Sequence, residues 1–180
     1  MRQIVLLRGI NLGARNRVAM PQLRELLTSA GFGDVRTYLQ SGNVVLSSDA
    51  SPQELASECE RRIARGFGLD IEVVVRTGDE LAEVVRRDPL GEVAVDPKRY
   101  QVSFLSAALQ AEVVRDLEGL AVASERFVAI GRELYAWHPE GIARSRLSTR
   151  LAGRGLGATA TARNWTTVTS LLAMAEETHE

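Results

Sequence analysis

Apolar positions in the first half of the chain follow two different spacings, which predict strands and helices in alternation. Four short runs typical of strands occupy residues 3–7, 35–40, 43–47 and 71–75. Between the first two runs, leucines recur at helical spacing from Pro21 to Gly31, and after Ser51 apolar residues recur at every fourth position. This order, βαββαβ, is that of a ferredoxin-like plait.

The second half of the chain repeats this order after one additional helix, which a capping box of Thr77 and Glu80 begins and Asp88-Pro89 ends. Further strands are predicted at residues 100–105, 126–130, 133–137 and 158–162. Further helices are predicted to follow Ser106, which would cap the first of them, to span residues 144–151 and to begin near Asn164.

The predicted fold class is therefore α+β, with two ferredoxin-like α/β plaits (βαββαβ) in tandem, an inserted helix between them and a C-terminal helix. A length of 180 residues fits one domain or two small subdomains. We assign residues 1–76 to the N-terminal plait and residues 77–180 to a second plait-like subdomain that includes the C-terminal helix.

The plait topology predicts which polar segments meet in space. Strand directions follow from the chain order, so the loop after the first strand and the turn between the second and third strands share one end of the sheet. The first and third strands are also neighbours in the usual plait order, which is a property of the fold. Residues 8–17 and 40–43 are therefore expected to lie close together, beside a helix N-terminus that favours anions. By the same reasoning, residues 138–145 should approach residues 163–165.

Charge is unevenly distributed, although 22 basic and 23 acidic residues give a net charge of −1. Residues 1–36 carry six arginines against two acidic residues, and residues 141–170 carry five arginines and no acidic residue. Lys98 is the only lysine. Such blocks suggest an anionic ligand, although solvated surfaces also carry them.

The candidate ligand-binding residues come from these polar segments. An arginine would form paired hydrogen bonds with a phosphate or carboxylate group, and an asparagine would orient that group. The candidates are Arg8, Asn11, Gly13, Arg15, Asn16, Arg17, Ser41, Asn43, Arg163 and Asn164. A structural interpretation stays open for each group. The glycines and asparagines permit left-handed turns, Ser41-Gly42-Asn43 forms a hairpin turn, and Asn164 caps a helix whose Trp165 packs in the core.

Metal, cofactor and catalytic sites are not indicated. The single cysteine, Cys59, falls on the apolar face of the second helix, and His138 and His179 are the only histidines. His138 precedes a proline and is expected to be a loop histidine, whereas His179 lies near the terminus. No carboxylate pair is placed for acid and base roles, so the catalytic residues are unknown and we expect no metal and no cofactor.

Membrane and nucleic-acid partners receive little support. No apolar run approaches the roughly 20 residues that span a bilayer, and Arg8 interrupts the N-terminal run too early for a secretory signal, so we expect a cytoplasmic protein without membrane contact. RNA recognition by base stacking needs exposed aromatic residues on inner strands, and the second strand offers only Arg36, Tyr38 and Gln40. Nucleic acid stays a partner only through phosphate contacts, and the oligomeric state stays open.

Four segments spread over nearly the whole chain carry a resemblance to a known family: LLRGINLGARNRVAM, RTYLQSGNVV, PEGIARS and TARNWTTV. With them the chain resembles the bacterial domain of unknown function 1697 family. Ala14 stands where the family pattern has a second glycine, which weakens a glycine-cradle interpretation, and Ala162 and Thr166 replace a threonine and an asparagine. The resemblance implies a two-plait α+β fold and a soluble bacterial protein, and it implies no activity, substrate or catalytic residue.

Three functional hypotheses follow. The first is a protein that binds a small anionic or phosphorylated ligand at the end of the first plait. The second is an enzyme, a transferase or hydrolase acting on a phosphorylated metabolite, which would need a carboxylate or His138 within reach of the arginines. The third is a nucleic-acid or protein interaction module. This hypothesis would be favoured if the arginines formed an open stripe on the surface instead of lining a pocket.

Overall fold

In the computed structural model, which describes residues 1–177, the first sheet has β1 (Arg2–Leu7) as an inner strand. The other strands of this sheet are β2 (Gly33–Tyr38), β3 (Asn43–Ser47) and β4 (Val73–Thr77). Their order is β2-β3-β1-β4 and every neighbouring pair is antiparallel. This is the arrangement of a ferredoxin-like plait.

Two helices, α1 (Met20–Ser29) and α2 (Pro52–Phe67), pack against one face of this sheet. They meet an alternating set of buried strand residues, namely Val5, Leu7, Val44, Leu46, Val73 and Val75. Alternation arises because successive side chains of a strand point to opposite faces. A complete capping box begins α2, in which Ser51 accepts from Glu54 N and the Glu54 side chain accepts from Ser51 N.

A third helix, α3 (Gly78–Arg87), follows β4 directly. Thr77 Oγ1 accepts a hydrogen bond from Glu80 N (3.1 Å), and the Glu80 carboxylate accepts one from Thr77 N (2.8 Å). The capping box predicted for this helix is therefore present.

The second sheet repeats the arrangement with β5 (Tyr100–Leu105) as an inner strand. Its other strands are β6 (Arg126–Ile130), β7 (Glu133–Trp137) and β8 (Ala160–Asn164). The order is β6-β7-β5-β8, again antiparallel throughout. The remaining helices are α4 (Ala111–Leu120), α5 (Arg146–Ala152) and α6 (Trp165–Glu176). Two tandem plait-like sheets confirm the predicted fold class.

The chain forms two units, one of residues 1–82 with the C-terminal segment from Ser170, and one of residues 83–169. In the first unit, Arg36 Nη1 lies 2.7 Å from Glu177 Oε2, and Arg36 also donates to the backbone oxygen of Met174. The C-terminal segment is thus bonded to β2. The sequence-based division between residues 76 and 77 stays a prediction.

Several element boundaries differ from the predicted ones by a few residues, and two of these differences have a clear structural reason. The strand predicted at residues 35–40 ends at Tyr38, because Leu39 adopts a left-handed φ of 57° that a strand cannot continue. The helix predicted to follow Ser106 begins at Ala111, and the prediction that Ser106 caps it is wrong. Ser106 Oγ instead accepts from Thr159 N (2.9 Å), so a contact distant in sequence uses the hydroxyl.

Candidate functional site

The opening loop, residues 8–17, is held in shape by its own asparagine side chains. Asn11 Nδ2 donates to the backbone oxygens of Val18 (2.8 Å) and Gln40 (2.6 Å), and Asn11 Oδ1 accepts from Val18 N (2.9 Å). Asn16 Nδ2 donates to Gly9 O (3.1 Å). Left-handed φ angles occur at Gly9, Asn11, Gly13 and Asn16. Glycine and asparagine are the residue types that adopt this conformation most easily, so the loop composition serves its backbone path.

The hairpin between β2 and β3 lies against the opening loop, as the plait topology predicts. Leu7 N donates to Gly42 O (2.9 Å), in addition to the bond between Asn11 and Gln40. A Cβ atom on Gly42 would lie 2.7 Å from Leu7 Cβ and 2.9 Å from Ile10 Cδ1. This close approach, together with a φ of 79°, is why a glycine occupies the turn.

Ser41 and Asn43 stabilise this hairpin. Asn43 is fully buried, and its Nδ2 donates to Tyr38 O (3.0 Å) and to Ser41 Oγ (2.9 Å). Both residues therefore have a structural role in the turn, and a contact with a ligand stays a prediction for them.

The three arginines of the opening loop have different surroundings. Arg8 Nη1 lies 2.5 Å from Glu72 Oε2, and Arg8 N donates to Glu72 O (2.9 Å). Arg15 and Arg17 are exposed, and within residues 1–177 neither side chain has a hydrogen bond or an ion pair. The positive charge of the loop is thus compensated at Arg8 and uncompensated at the other two positions.

The N-terminus of the helix that follows the loop has no side-chain cap. Its N-cap residue, Ala19, makes no side-chain hydrogen bond, and its first turn holds no acidic residue. The first amides of a helix without a cap lack intrahelical partners and carry the positive end of the helix dipole. This positive end lies two residues along the chain from Arg17.

Arg163 and Asn164, the candidates of the second unit, are engaged in the fold. Arg163 is 8% exposed, and its Nη1 donates to Thr161 Oγ1 (2.6 Å) and to Ala162 O (2.9 Å). Burial lowers the pKa of Arg163 to about 10, so the side chain stays protonated at neutral pH. Asn164 Oδ1 accepts from Thr167 N (2.9 Å) and so caps α6.

The segments expected to approach each other in the second unit both bond to the chain around the start of β5. His138 N donates to Arg99 O (3.0 Å), and Trp165 N donates to Pro97 O (3.1 Å). The indole of Trp165 also stacks on Tyr100, with ring centroids 4.7 Å apart. The two segments therefore share one end of the second sheet, on either side of β5.

His138 lies in the loop directly after β7, as expected, and it is fully buried. Its Nδ1 lies 2.5 Å from Glu125 Oε2, and Ser145 Oγ donates to the same oxygen at 2.5 Å. Burial raises the pKa of Glu125, but the hydrogen bonds from Ser145 and His138 outweigh it and hold the pKa below its usual value. A serine hydrolase places histidine between serine and acid, whereas here the carboxylate is central. The cluster therefore anchors the chain around Ser145 and does not form that relay.

Cys59 is fully buried on the inner face of α2. Burial raises the pKa of the Cys59 thiol to about 12, so it is protonated at neutral pH. Among residues 1–177, no three side chains of the metal-binding types lie together. His179 lies outside the described residues.

Within the described chain, no helix has both the length and the apolar character to cross a bilayer, and a cytoplasmic location stays a prediction.

Arginines outside the predicted candidate set border a cleft in the second unit. They are Arg144, Arg146, Arg150 and Arg154. The signal for them in the sequence is the block of residues 141–170 without acidic residues. That block shows positive charge, but only the folded backbone shows which side chains border one cleft.

These observations describe an α+β protein of two plait-like sheets with basic surface regions. The family model described as a protein of unknown function (DUF1697) matches residues 1–135, and the chain belongs to this family. The resemblance drawn from the sequence motifs is therefore confirmed.

One solved structure with a similar fold is the conserved bacterial protein SP0830 from Streptococcus pneumoniae. The two chains have a TM-score of 0.78 and 23% sequence identity, over 97% of this chain and 98% of that one. This similarity concerns the fold. A comparison with curated proteins found no match.

Proposed function

We propose that the protein binds a small anionic, phosphorylated ligand at the opening loop. The observation that carries this proposal is the pair of exposed arginines, Arg15 and Arg17, which have no partner within residues 1–177. A guanidinium group presents paired N–H donors that match a phosphate or carboxylate group.

The rigidity of the loop supports the proposal. Asn11 and Asn16 bond to the backbone on both sides of the arginines, so the loop does not need to be ordered when a ligand arrives. Binding to an ordered loop avoids the entropic cost of ordering it. The N-terminus of α1, which has neither a side-chain cap nor an acidic residue in its first turn, adds a favourable interaction with an anion of about 0.3–1 kcal/mol.

The contribution of the other candidates is mainly structural. The polar groups of Asn11, Asn43 and Asn164 bond within the chain, and Arg8 pairs with Glu72. We therefore assign the charged contacts to Arg15 and Arg17, with Gly13 permitting the backbone turn between the two asparagines.

A nucleic-acid role is less favoured by the contacts of Arg36. This arginine lies on β2, an edge strand of the first sheet, and its guanidinium group is already paired with Glu177 and the backbone oxygen of Met174. An enzymatic role would need an acid or base within reach of the loop arginines, and Glu72, the carboxylate that contacts one of them, is paired with Arg8.

Titration of the ¹⁵N-labelled protein with inorganic phosphate, followed by two-dimensional NMR, tests the proposal. We expect saturable shifts of the backbone amides of residues 13–18, with a dissociation constant on the order of 0.1–1 mM, as two exposed guanidinium contacts allow. The double variant Arg15→Gln/Arg17→Gln should weaken binding at least tenfold, since charge-assisted hydrogen bonds contribute about 1.5–3 kcal/mol each.

Arg65→Gln is the matched control, because Arg65 is an exposed arginine of α2 in the same unit and has no partner within residues 1–177. It should leave the shifts unchanged. Shifts that persist in the double variant, or that are absent from residues 13–18 of the wild type, would contradict the proposal.

A further inference from the structure

A cleft of about 600 Å³ in the second unit is bordered by four arginines and by no carboxylate. The arginines are Arg144, Arg146, Arg150 and Arg154. Sites for small organic ligands have volumes of about 300–1,000 Å³, so the cleft has room for more than a single phosphate. Its walls therefore combine ligand-sized space with one sign of charge.

The positive charge of this cleft is not neutralised at its first two arginines. Arg144 and Arg146 are exposed, and across the described chain neither side chain has a hydrogen bond or an ion pair. Positive side chains held near each other repel, and an anion between them removes that repulsion. The cleft is thus electrostatically complementary to an anion.

Arg150 contributes a fixed guanidinium group. Its Nη1 donates to Arg154 O (2.9 Å) and its Nη2 donates to Gly155 O (3.1 Å). Both acceptors are neutral carbonyl groups, so the bonds orient the side chain without cancelling its charge. A guanidinium group has five N–H donors, and those beyond these two bonds can serve a ligand.

The backbone that carries Arg144 and Arg146 is anchored at the residue between them. Ser145 is 6% exposed, its Oγ donates to Glu125 Oε2 (2.5 Å), and the same Oγ accepts from Ser148 N (3.0 Å). Glu125 in turn bonds to His138. The buried cluster in the second unit therefore anchors the backbone segment that carries the two exposed arginines.

We propose that this cleft binds a compact organic ligand that carries at least two phosphate groups. A single phosphate fills only a small part of a cleft of this size, whereas a diphosphate or a bisphosphate presents anionic oxygens at several points. Leu120 and Ala143 give the wall an apolar part for the organic moiety. This site is separate from the opening loop, which lies in the other unit.

Calorimetric titration with inorganic pyrophosphate tests the proposal. It is made on the full chain carrying Arg15→Gln/Arg17→Gln, so that binding at the opening loop is already weakened. We expect pyrophosphate to bind at least tenfold more tightly than orthophosphate. Adding Arg144→Gln/Arg146→Gln should weaken pyrophosphate binding at least tenfold. Because neither side chain has a partner in the described residues, this variant is expected to fold normally, which circular dichroism checks.

The matched control adds Arg65→Gln/Arg115→Gln instead, which removes the same charge from two exposed arginines elsewhere and should leave the affinity unchanged. Equal affinity for pyrophosphate and orthophosphate, or an undiminished affinity in the Arg144 and Arg146 variant, would overturn the proposal. So would a 12-nucleotide single strand that binds more tightly than pyrophosphate and loses its affinity in the same variant, since the cleft would then contact a nucleic-acid backbone. Failure at the opening loop is detected separately, by the NMR titration of residues 13–18.

Discussion

Single residues in this protein show how one polar group is committed either to the fold or to a ligand. Asn11 and Asn43 are of a residue type common in binding sites, yet their side-chain amides bond to backbone oxygens within the loop and the hairpin. Arg15 and Arg17 lie in the same segment and remain uncommitted within the described chain. The difference is set by which groups lie within hydrogen-bonding distance, and a motif does not contain that information.

A side chain at Gly42 is expected to destabilise the hairpin between β2 and β3. Gly42→Ala should lower the free energy of unfolding by about 2–5 kcal/mol, because the new Cβ meets Leu7 and Ile10 and the left-handed backbone adds strain. Gly13→Ala is the comparison, since Gly13 has a φ of 68° and open space around it, and it should cost only about 1–2 kcal/mol. Urea unfolding of both variants measures the difference, and equal losses would show that the close approach at the hairpin has no energetic weight.

The buried carboxylate of Glu125 is expected to contribute to stability in a pH-dependent way. Because the pKa of Glu125 is held below its usual value by hydrogen bonds from Ser145 and His138, its contribution to stability is present above about pH 4.3 and is lost as the pH falls below that value. Glu125→Gln should therefore lower stability at pH 7 by about 1.5–3 kcal/mol and lower it less at pH 3. Chemical unfolding at the two pH values is the measurement, and a pH-independent loss would contradict the assignment.

At the scale of elements, local signals predict where most helices begin. Ser51 and Thr77 form the capping boxes that their spacing to Glu54 and Glu80 indicates. Ser106 has the same hydroxyl group but caps no helix, because its Oγ accepts a hydrogen bond from Thr159 N. A capping residue is therefore decisive only where no group distant in sequence competes for its side chain.

Substitutions of Asn164 distinguish a helix-capping role of this candidate residue from a direct contact with a ligand. Asn164→Ala should destabilise the protein by about 1 kcal/mol through loss of the bond to Thr167 N, and Asn164→Ser should recover most of this, since serine also caps. Phosphate titration of both variants, beside thermal unfolding, separates the roles. Weaker binding in both variants with unchanged stability would show that Asn164 contacts the ligand instead.

At the scale of the whole molecule, a net charge of −1 conceals two basic regions that lie in different units. The opening loop presents Arg15 and Arg17, and the cleft presents Arg144 and Arg146. Electrostatic attraction of this kind acts over about 8–10 Å at physiological salt, so each region attracts anions locally although the total charge is near zero.

The two regions share no residue, and their effects on binding are expected to be additive. In pyrophosphate titrations at low salt, the loss of binding free energy at each region should be the same, within about 0.5 kcal/mol, in the double variant of that region and in the quadruple variant. Raising the sodium chloride concentration should weaken binding at both regions. A larger departure from additivity would show that the units communicate.

Strand and helix order, the plait topology and the membership of the family were determined by the sequence, because apolar periodicity and local capping depend on neighbouring residues. The approach of the hairpin to the opening loop also followed from the topology. Only the tertiary structure decided that Asn43 and Arg163 are buried, that His138 meets Glu125, and which arginines border the cleft. Those facts depend on contacts between side chains distant in the chain, and such contacts exist only once the sheets and helices have packed.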